Sequence, residues 1–180
     1  YATTFGGFSW IEFRKSEVIV SPLLLQRNTI LELEYNLMLF RLGGSRSSSE
    51  IQKSNISDID KNSVKQKSFK EMIQLAVEMK ESLLKGNVKH FADLLHKSWM
   101  LKIKMNNGVT NEFVEDCYNA AKELGALGGK LLGAGGSGYL LIYASPLYQK
   151  KIKSTLAKKG AIQEMFKFGK NGLEVWSTKR

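Results

Sequence analysis

The chain has 180 residues, of which 43% are hydrophobic and 10% aromatic, a composition typical of a globular domain and not of a disordered segment. No apolar run approaches the ~20 residues that a membrane-spanning helix needs, and no signal-like segment opens the sequence, so we expect a cytoplasmic protein. The net charge of +10 predicts an anionic partner, either nucleic acid or a phosphorylated small molecule.

The first forty residues have the pattern of strands. Residues 8–14 and 17–25 are rich in aromatic and branched side chains and are separated by a short polar break, which predicts a hairpin. Apolar and polar residues then alternate from 31 to 40, the period of a third strand. Residues 43–49 follow, with two glycines, Arg46 and several hydroxyls. They form either a second anion pocket or a plain helix-entry loop.

Three helices are predicted over residues 63–124, where the apolar residues recur at helical spacing. Thr110 is the predicted N-cap of the third helix, and Gly125 ends it. His90 and His96 fall in the second helix at a spacing that does not place them on one face. Because no cysteine or further histidine lies nearby, we do not expect a metal site.

The densest glycine run of the chain occupies residues 128–138 and precedes a predicted strand over residues 139–144. Six glycines in eleven positions indicate a backbone that needs positive φ or that approaches a ligand closely. Successive N–H groups in such a loop can hold an anion, and Lys130 adds positive charge. A crowded turn beneath a helix is the alternative. A dinucleotide fingerprint at Gly133, Gly135 and Gly138 is excluded, because that fingerprint needs a strand before the glycines and a helix after them.

The remaining residues predict a helix from Pro146 to Lys159 and then two strands, over residues 161–168 and 173–177. The order is therefore three strands, a run of helices, and β-α-β-β. Separate runs of strands and helices predict an α+β domain, with helices packed on one face of a mainly antiparallel sheet.

These motifs resemble the C-terminal part of the superfamily of galactokinase, homoserine kinase, mevalonate kinase and phosphomevalonate kinase, the GHMP kinases. Residues 130–138 are similar to the third conserved motif of the family, and residues 1–7 to the segment after its catalytic aspartate. Within the superfamily, the combination of residues 1–8, Gly-Ser-Arg-Ser at 44–47 and His-Lys-Ser-Trp-x-x-Lys at 96–102 is most similar to the D-glycero-D-manno-heptose 7-phosphate kinases. The resemblance implies a ferredoxin-like C-terminal domain over residues 43–180, with residues 1–42 as strands that end the preceding domain.

The resemblance also implies an activity, the transfer of the γ-phosphoryl group of ATP, with Mg²⁺, to the anomeric oxygen of a heptose 7-phosphate. It assigns a phosphate or substrate loop to Lys130, Gly133, Ala134, Gly135, Gly136, Ser137 and Gly138. It assigns the lining of the sugar pocket to Tyr1, Gly6 and Gly7. Arg46, Lys102 and Lys130 are candidates for pairing with the phosphate of the substrate. For Arg46 and Lys102, a surface charge or a structural ion pair is an equally open interpretation.

The sequence departs from the family in two ways. It has no Gly-Leu-Gly-Ser-Ser loop, which in the family holds the phosphates of ATP, and the catalytic aspartate would precede Tyr1. We therefore expect part of a longer kinase, inactive by itself, whose N-terminal domain is its partner. The alternative is a free-standing basic α+β module that regulates or binds nucleic acid. Scattered lysines without interleaved aromatic residues favour the small phosphorylated ligand.

Overall fold

The computed structural model describes residues 1–43, 63–106, 108–133 and 138–176. Its helices are α1 (Ala2–Phe5), α2 (Arg27–Asn36), α3 (Ser63–Leu84), α4 (Val88–Met105), α5 (Glu112–Glu123) and α6 (Pro146–Lys158). Its strands are β1 (Ser9–Phe13), β2 (Val18–Pro22), β3 (Leu37–Leu42), β4 (Gly128–Leu132), β5 (Gly138–Tyr143) and β6 (Ile162–Glu164). None of the helices in these ranges is long and apolar enough to cross a membrane.

The structure has two antiparallel sheets, which confirms the predicted α+β class. Strands β1 and β2 form the expected hairpin, and the other four strands form one sheet in the order β4-β5-β3-β6. Phe40 of β3 lies opposite Leu140 of β5, and Leu131 of β4 lies opposite Leu140 from the other side. Cross-strand partners share a face of a sheet, so these three buried side chains point to the same side.

The main hydrophobic core lies between that face of the sheet and helices α4, α5 and α6. Helices α5 and α6 each bury one stripe of side chains against this face, as amphipathic helices do, whereas α4 contributes Trp99 here and Val88 and Ala92 to a second cluster. The fully buried members from the helices include Trp99 of α4, Cys117 and Tyr118 of α5, and Ile152 and Leu156 of α6. Helix α3 packs along α4.

A second cluster, called here the rear cluster, forms on the other side of the sheet. Leu37 and Tyr143, which are cross-strand partners, pack there with Leu33 of α2 and Ala92 of α4. The partly buried members are Phe8, Leu25, Phe91, Leu127, Leu141, Phe166 and Phe168. The rear cluster joins the N-terminal hairpin and the C-terminal segment to the sheet.

The predicted third strand was wrong over residues 31–36, which belong to helix α2. Thr29, Leu33 and Asn36 are the buried residues of this helix, and their spacing of four and three is that of a helix face. The alternation of leucine and glutamate resembles a strand, but glutamate and leucine are strong helix formers. The strand begins only at Leu37, where both faces of the sheet become buried.

The predicted C-terminal hairpin was also wrong, because Ile162–Glu164 is the only strand between residues 161 and 176. The following residues instead return to the N-terminus. Gly7 N donates to Gly169 O at 3.1 Å, and Leu173 N donates to Thr4 O at 2.9 Å. These backbone bonds replace the hairpin ladder that the alternating sequence predicted.

Two smaller predictions are corrected by local geometry. Asn111, not Thr110, caps α5, since its side chain accepts from Val114 N at 3.0 Å. Gly128, Gly129 and Lys130 belong to strand β4 and not to a loop. Strand β3 pairs with β5 and β6 in one sheet, and the domain boundary after residue 42 stays a prediction.

Candidate functional site

The predicted glycine loop joins the end of β4 to the start of β5. Gly133 has φ +89° and Gly138 has φ +120°, values that residues with a Cβ rarely adopt. Nothing lies within 4 Å of the place where a Cβ on Gly133 would stand, so conformation and not crowding requires glycine there. Ala134, Gly135, Gly136 and Ser137 lie outside the described residues, as does Arg46.

Two lysines converge on this end of β4. Lys102, in the last turn of α4, donates from Nζ to Gly133 O at 3.3 Å. Burial lowers the pKa of Lys102 below its ordinary value. Burial, and then the positive charge of Lys102, lower the pKa of Lys130. Burial thus disfavours the charged form of both ammonium groups, and the charge of Lys102 further disfavours that of Lys130, so a nearby anion would relieve these effects.

Lys130 lies on the same side of the sheet as the rear cluster. It is the cross-strand partner of Leu141, which packs against that cluster together with Phe8 and Phe168. The end of the sheet near Lys130 and the N-terminal segment are therefore on one side of the molecule.

Tyr1, Gly6 and Gly7 form a separate group. Gly6 has φ +69°, and a Cβ there would lie 2.3 Å from the carbonyl carbon of Asn171. Gly7 has φ +57°, and its backbone N–H donates a hydrogen bond to Gly169 O. The two glycines thus let residues 4–7 approach residues 169–173 closely. The sequence did not predict this role, because no local pattern indicates that residues 169–173 lie beside the N-terminal segment. The ring of Tyr1 is exposed and packs edge-on against Phe13, with centroids 5.8 Å apart.

A cavity of about 630 Å³ opens beside Gly7. Apolar side chains form most of its wall, and charged residues complete it. Its lining consists of Gly7, Phe8, Leu23, Leu24, Leu25, Arg27, Ile30, Leu31, Glu34, Phe168, Gly169 and Lys170. Sequence reasoning missed Arg27, Glu34 and Lys170, since it placed residue 34 on a strand and residue 170 in a distant turn. Glu34 Oε1 accepts from Phe168 N at 2.9 Å, which fixes one wall.

Helix α4 lies directly against β4, and this contact positions Lys102. A Cβ on Gly128 would come within 2.0 Å of Ala92 O and 3.2 Å of His96 N, so only glycine admits the helix backbone there. His96 Nδ1 lies 2.7 Å from the hydroxyl of Tyr118 on α5, and the two rings are stacked with centroids 6.0 Å apart. Burial lowers the pKa of His96 and raises that of Tyr118, so both groups are neutral near pH 7.

Within the described ranges, no group of three or more His, Cys, Asp or Glu side chains is arranged to hold a metal ion. Lys102, Lys130 and Gly133 are brought together, and Tyr1, Gly6 and Gly7 gather around residues 169–172. The candidate site thus consists of two features, the cationic group at the β4–β5 connection and the cavity beside Gly7, and Lys130 shares the rear side of the sheet with Phe8 and Phe168 of the cavity lining.

A family model matches part of the chain. Residues 79–162 match the family model described as GHMP kinases C terminal. The match runs from the end of α3 to the start of β6 and includes the Lys102, Lys130 and Gly133 group. This match confirms the resemblance to the C-terminal part of the GHMP kinases that the motifs predicted.

Individual relatives agree with this. Over 178 residues the chain is 31% identical to D-glycero-alpha-D-manno-heptose 7-phosphate kinase of Campylobacter jejuni, a match covering 98% of this chain and 52% of that protein. The crystal structure of a D-glycero-D-manno-heptose 1-phosphate kinase from Bacteroides thetaiotaomicron has a TM-score of 0.66 at 25% identity and covers 98% of this chain and 48% of its own. L. major mevalonate kinase, solved with R-mevalonate, shares the fold with a TM-score of 0.68 at 19% identity over 84% of this chain and 44% of its own. The chain spans about half the length of these relatives.

Proposed function

We propose that the chain is the C-terminal part of an ATP-dependent cytoplasmic kinase that phosphorylates D-glycero-D-manno-heptose 7-phosphate at its anomeric oxygen. Similarity to a heptose 7-phosphate kinase over 98% of the chain supports the sugar-phosphate class. The observation that carries the proposal is the pair of lysines, Lys102 and Lys130, beside the left-handed backbone of Gly133.

A phosphate group near Lys102 and Lys130 would stabilise their positive charges. Burial disfavours the charged form of each lysine. In the described part of the chain, neither lysine forms an ion pair with a carboxylate. A phosphate oxygen between them would supply that missing negative charge, and charge-assisted hydrogen bonds are about twice as strong as neutral ones. We therefore assign the phosphate of the substrate, or the phosphoryl group in transfer, to Lys102, Lys130 and the loop from Gly133 to Gly138.

The cavity beside Gly7 supports a place for the sugar. Its volume of about 630 Å³ is within the ordinary range for small-molecule sites. Glu34 has a carboxylate that can accept from sugar hydroxyls, while Arg27 and Lys170 add positive charge to the lining. Tyr1 and Gly6 are not among the lining residues, but Gly6 acts through shape, since it holds the segment that carries Gly7 against residues 171–172.

The proposed reaction depends on positioning and charge neutralisation more than on covalent chemistry by the protein. When bound, ATP with Mg²⁺ supplies the phosphoryl group and neutralises part of its charge. The lysine pair fits the anionic phosphates, whereas the described residues offer no carboxylate cluster for the metal. We therefore assign the metal, the main ATP loop and the general base to the N-terminal domain of the complete kinase, the proposed partner of this chain.

The test is an assay of the protein encoded by the complete reading frame that contains these residues. With ATP and Mg²⁺, we expect turnover of D-glycero-D-manno-heptose 7-phosphate in preference to galactose, mevalonate and phosphomevalonate. Phosphorus NMR should then show a new phosphate on the anomeric carbon. Preference for mevalonate, or no turnover of any sugar phosphate, would refute the proposed substrate.

A further inference from the structure

The segment His96-Lys97-Ser98-Trp99-x-x-Lys102 lies on helix α4. Its residues His96, Trp99 and Lys102 are each separated by three positions. Neighbours at that spacing lie side by side along a helix, each turned by about 60° from the last. His96 and Trp99 both contact Tyr118 of α5, through a hydrogen bond of 2.7 Å and a tilted ring contact at 6.4 Å. Lys102, the third member, reaches Gly133 instead.

The contact between α4 and β4 fixes how closely the helix lies against the strand but leaves its rotation to other contacts. The close approach at Gly128 involves backbone atoms of Ala92 and His96, so the rotation of α4 is set by its side chains, among them the buried Leu94, Leu95 and Trp99 and the half-buried His96. A rotation of α4 about its axis would carry the Lys102 ammonium away from Gly133, because Nζ stands far from that axis. The bond between His96 and Tyr118 resists such a rotation, since Tyr118 is buried in the main core.

We propose that His96, through its hydrogen bond to Tyr118, is a positioning residue that holds helix α4 in the rotation that places the Lys102 ammonium at Gly133. The positioning of Lys102 by His96 does not depend on the proposed function. Its consequence for phosphate binding does rest on the proposed function. Trp99 packs the same interface by shape alone, whereas His96 adds a directional bond. His96 is half-buried and neutral, so the bond needs no compensating charge.

The experiment uses the chain of residues 1–180 and four variants. His96→Leu removes the bond, His96→Asn keeps a polar atom near the place of Nδ1, and Tyr118→Phe removes the bond from the other side. His90→Leu is the matched control, because His90 lies on the same helix with an exposed side chain. Lysine ¹³Cε NMR measures the pKa of Lys102, whose signal is identified by its loss in Lys102→Met. Calorimetry measures the dissociation constants of inorganic phosphate and of heptose 7-phosphate.

The expected result is that His96→Leu and Tyr118→Phe both move the pKa of Lys102 up towards its ordinary value, since a displaced ammonium is better hydrated. Phosphate affinity should fall by roughly tenfold in both, because small displacements of a positioned charge are costly. His96→Asn should keep both the Lys102 pKa and the phosphate affinity close to their wild-type values. His90→Leu should change neither quantity. The double variant His96→Leu, Tyr118→Phe should bind phosphate no more weakly than either single variant, because both substitutions remove the same hydrogen bond.

The proposal is overturned if His96→Leu lowers the melting temperature while the pKa of Lys102 and the phosphate affinity stay at their wild-type values. Should His96→Leu fail to fold, Tyr118→Phe decides by the same two readouts. If the wild-type chain binds neither phosphate probe, the proposed function fails, whereas a shifted Lys102 pKa in the variants would still support the positioning role. An unchanged Lys102 pKa in Tyr118→Phe would refute that role whatever the ligand does.

Discussion

Lys130 is a residue whose charge opposes folding. Burial and the nearby Lys102 lower its pKa in the folded chain, whereas in the unfolded chain it keeps its ordinary value. The unfolded state therefore binds more protons between the two pKa values, and stability rises as pH rises through that window. A charge that costs stability is expected where a protein needs it for a ligand.

We predict that Lys130→Met raises the melting temperature at pH 7 and lowers phosphate affinity by roughly tenfold to a hundredfold, the value of a charge-assisted hydrogen bond. The gain in stability should shrink above pH 10, where the wild-type lysine loses its charge in both states. Scanning calorimetry and phosphate titration measure the two effects. Lys150→Met, on the exposed face of α6, should change neither. Loss of stability with unchanged affinity would identify Lys130 as a structural residue.

Gly133 offers a sharper separation of folding from binding. Gly133 at φ +89° and Gly160 at φ +96° both have open space where a Cβ would stand. Alanine at either place should cost on the order of 1–2 kcal/mol of backbone strain. We predict similar falls in melting temperature for Gly133→Ala and Gly160→Ala, but a weaker affinity for phosphate only in Gly133→Ala. Equal affinities in the two variants would remove the loop from the site.

The residues proposed for this site came from two kinds of reasoning. Lys130 was singled out because a charge within a glycine run suggests an anion, and Lys102 because of the family resemblance, and both assignments stay predictions. The close approach of Gly6 to Asn171 was not predicted, because it depends on contacts between residues far apart in the chain. For the same reason, Arg27 and Lys170 were not singled out.

At the scale of elements, the contact of α4 with β4 is the joint that brings Lys102 to the loop. We predict that Gly128→Ala destabilises the chain by at least 1–3 kcal/mol, because its Cβ would meet Ala92 O at 2.0 Å and backbone atoms must move. Gly43→Ala, with open space and no positive φ, should cost nothing measurable. Urea unfolding compares them. A Gly128→Ala variant as stable as Gly43→Ala would contradict the close packing.

Long amphipathic elements were predicted better than short ones. Helices α3 to α6 and the hairpin followed from periodicity, since each buries a regular stripe. Helix α2 was mistaken for a strand, because ten residues contain too few turns to distinguish alternation from helical spacing. The C-terminal alternation failed because tertiary bonds to residues 4 and 7 replaced a ladder partner.

At the scale of the whole molecule, Lys130 and part of the cavity lining lie on one side of the sheet, and we assign the completion of the site to the proposed partner domain. We predict that residues 1–180 alone do not phosphorylate heptose 7-phosphate, because the sequence has no Gly-Leu-Gly-Ser-Ser loop and the general base is assigned to that partner. A coupled assay for ADP release measures this. Detectable turnover that survives repurification would show that these residues contain a complete kinase site.

The net charge of +10 also leaves the nucleic-acid alternative open to a direct comparison. A basic surface that binds nucleic acid would give a steep decrease of affinity with salt and no preference for sugar phosphates. A built phosphate site would instead depend on two particular lysines. The same chain can be titrated with both kinds of ligand.

The most direct test is therefore calorimetric titration of residues 1–180 with heptose 7-phosphate, beside random single-stranded DNA over a range of salt. We predict saturable binding of the sugar phosphate that is abolished in the double variant Lys102→Met, Lys130→Met and retained in Lys150→Met. Sugar-phosphate binding that the double variant leaves intact, or no such binding together with salt-sensitive binding of DNA, would contradict the assignment of this site.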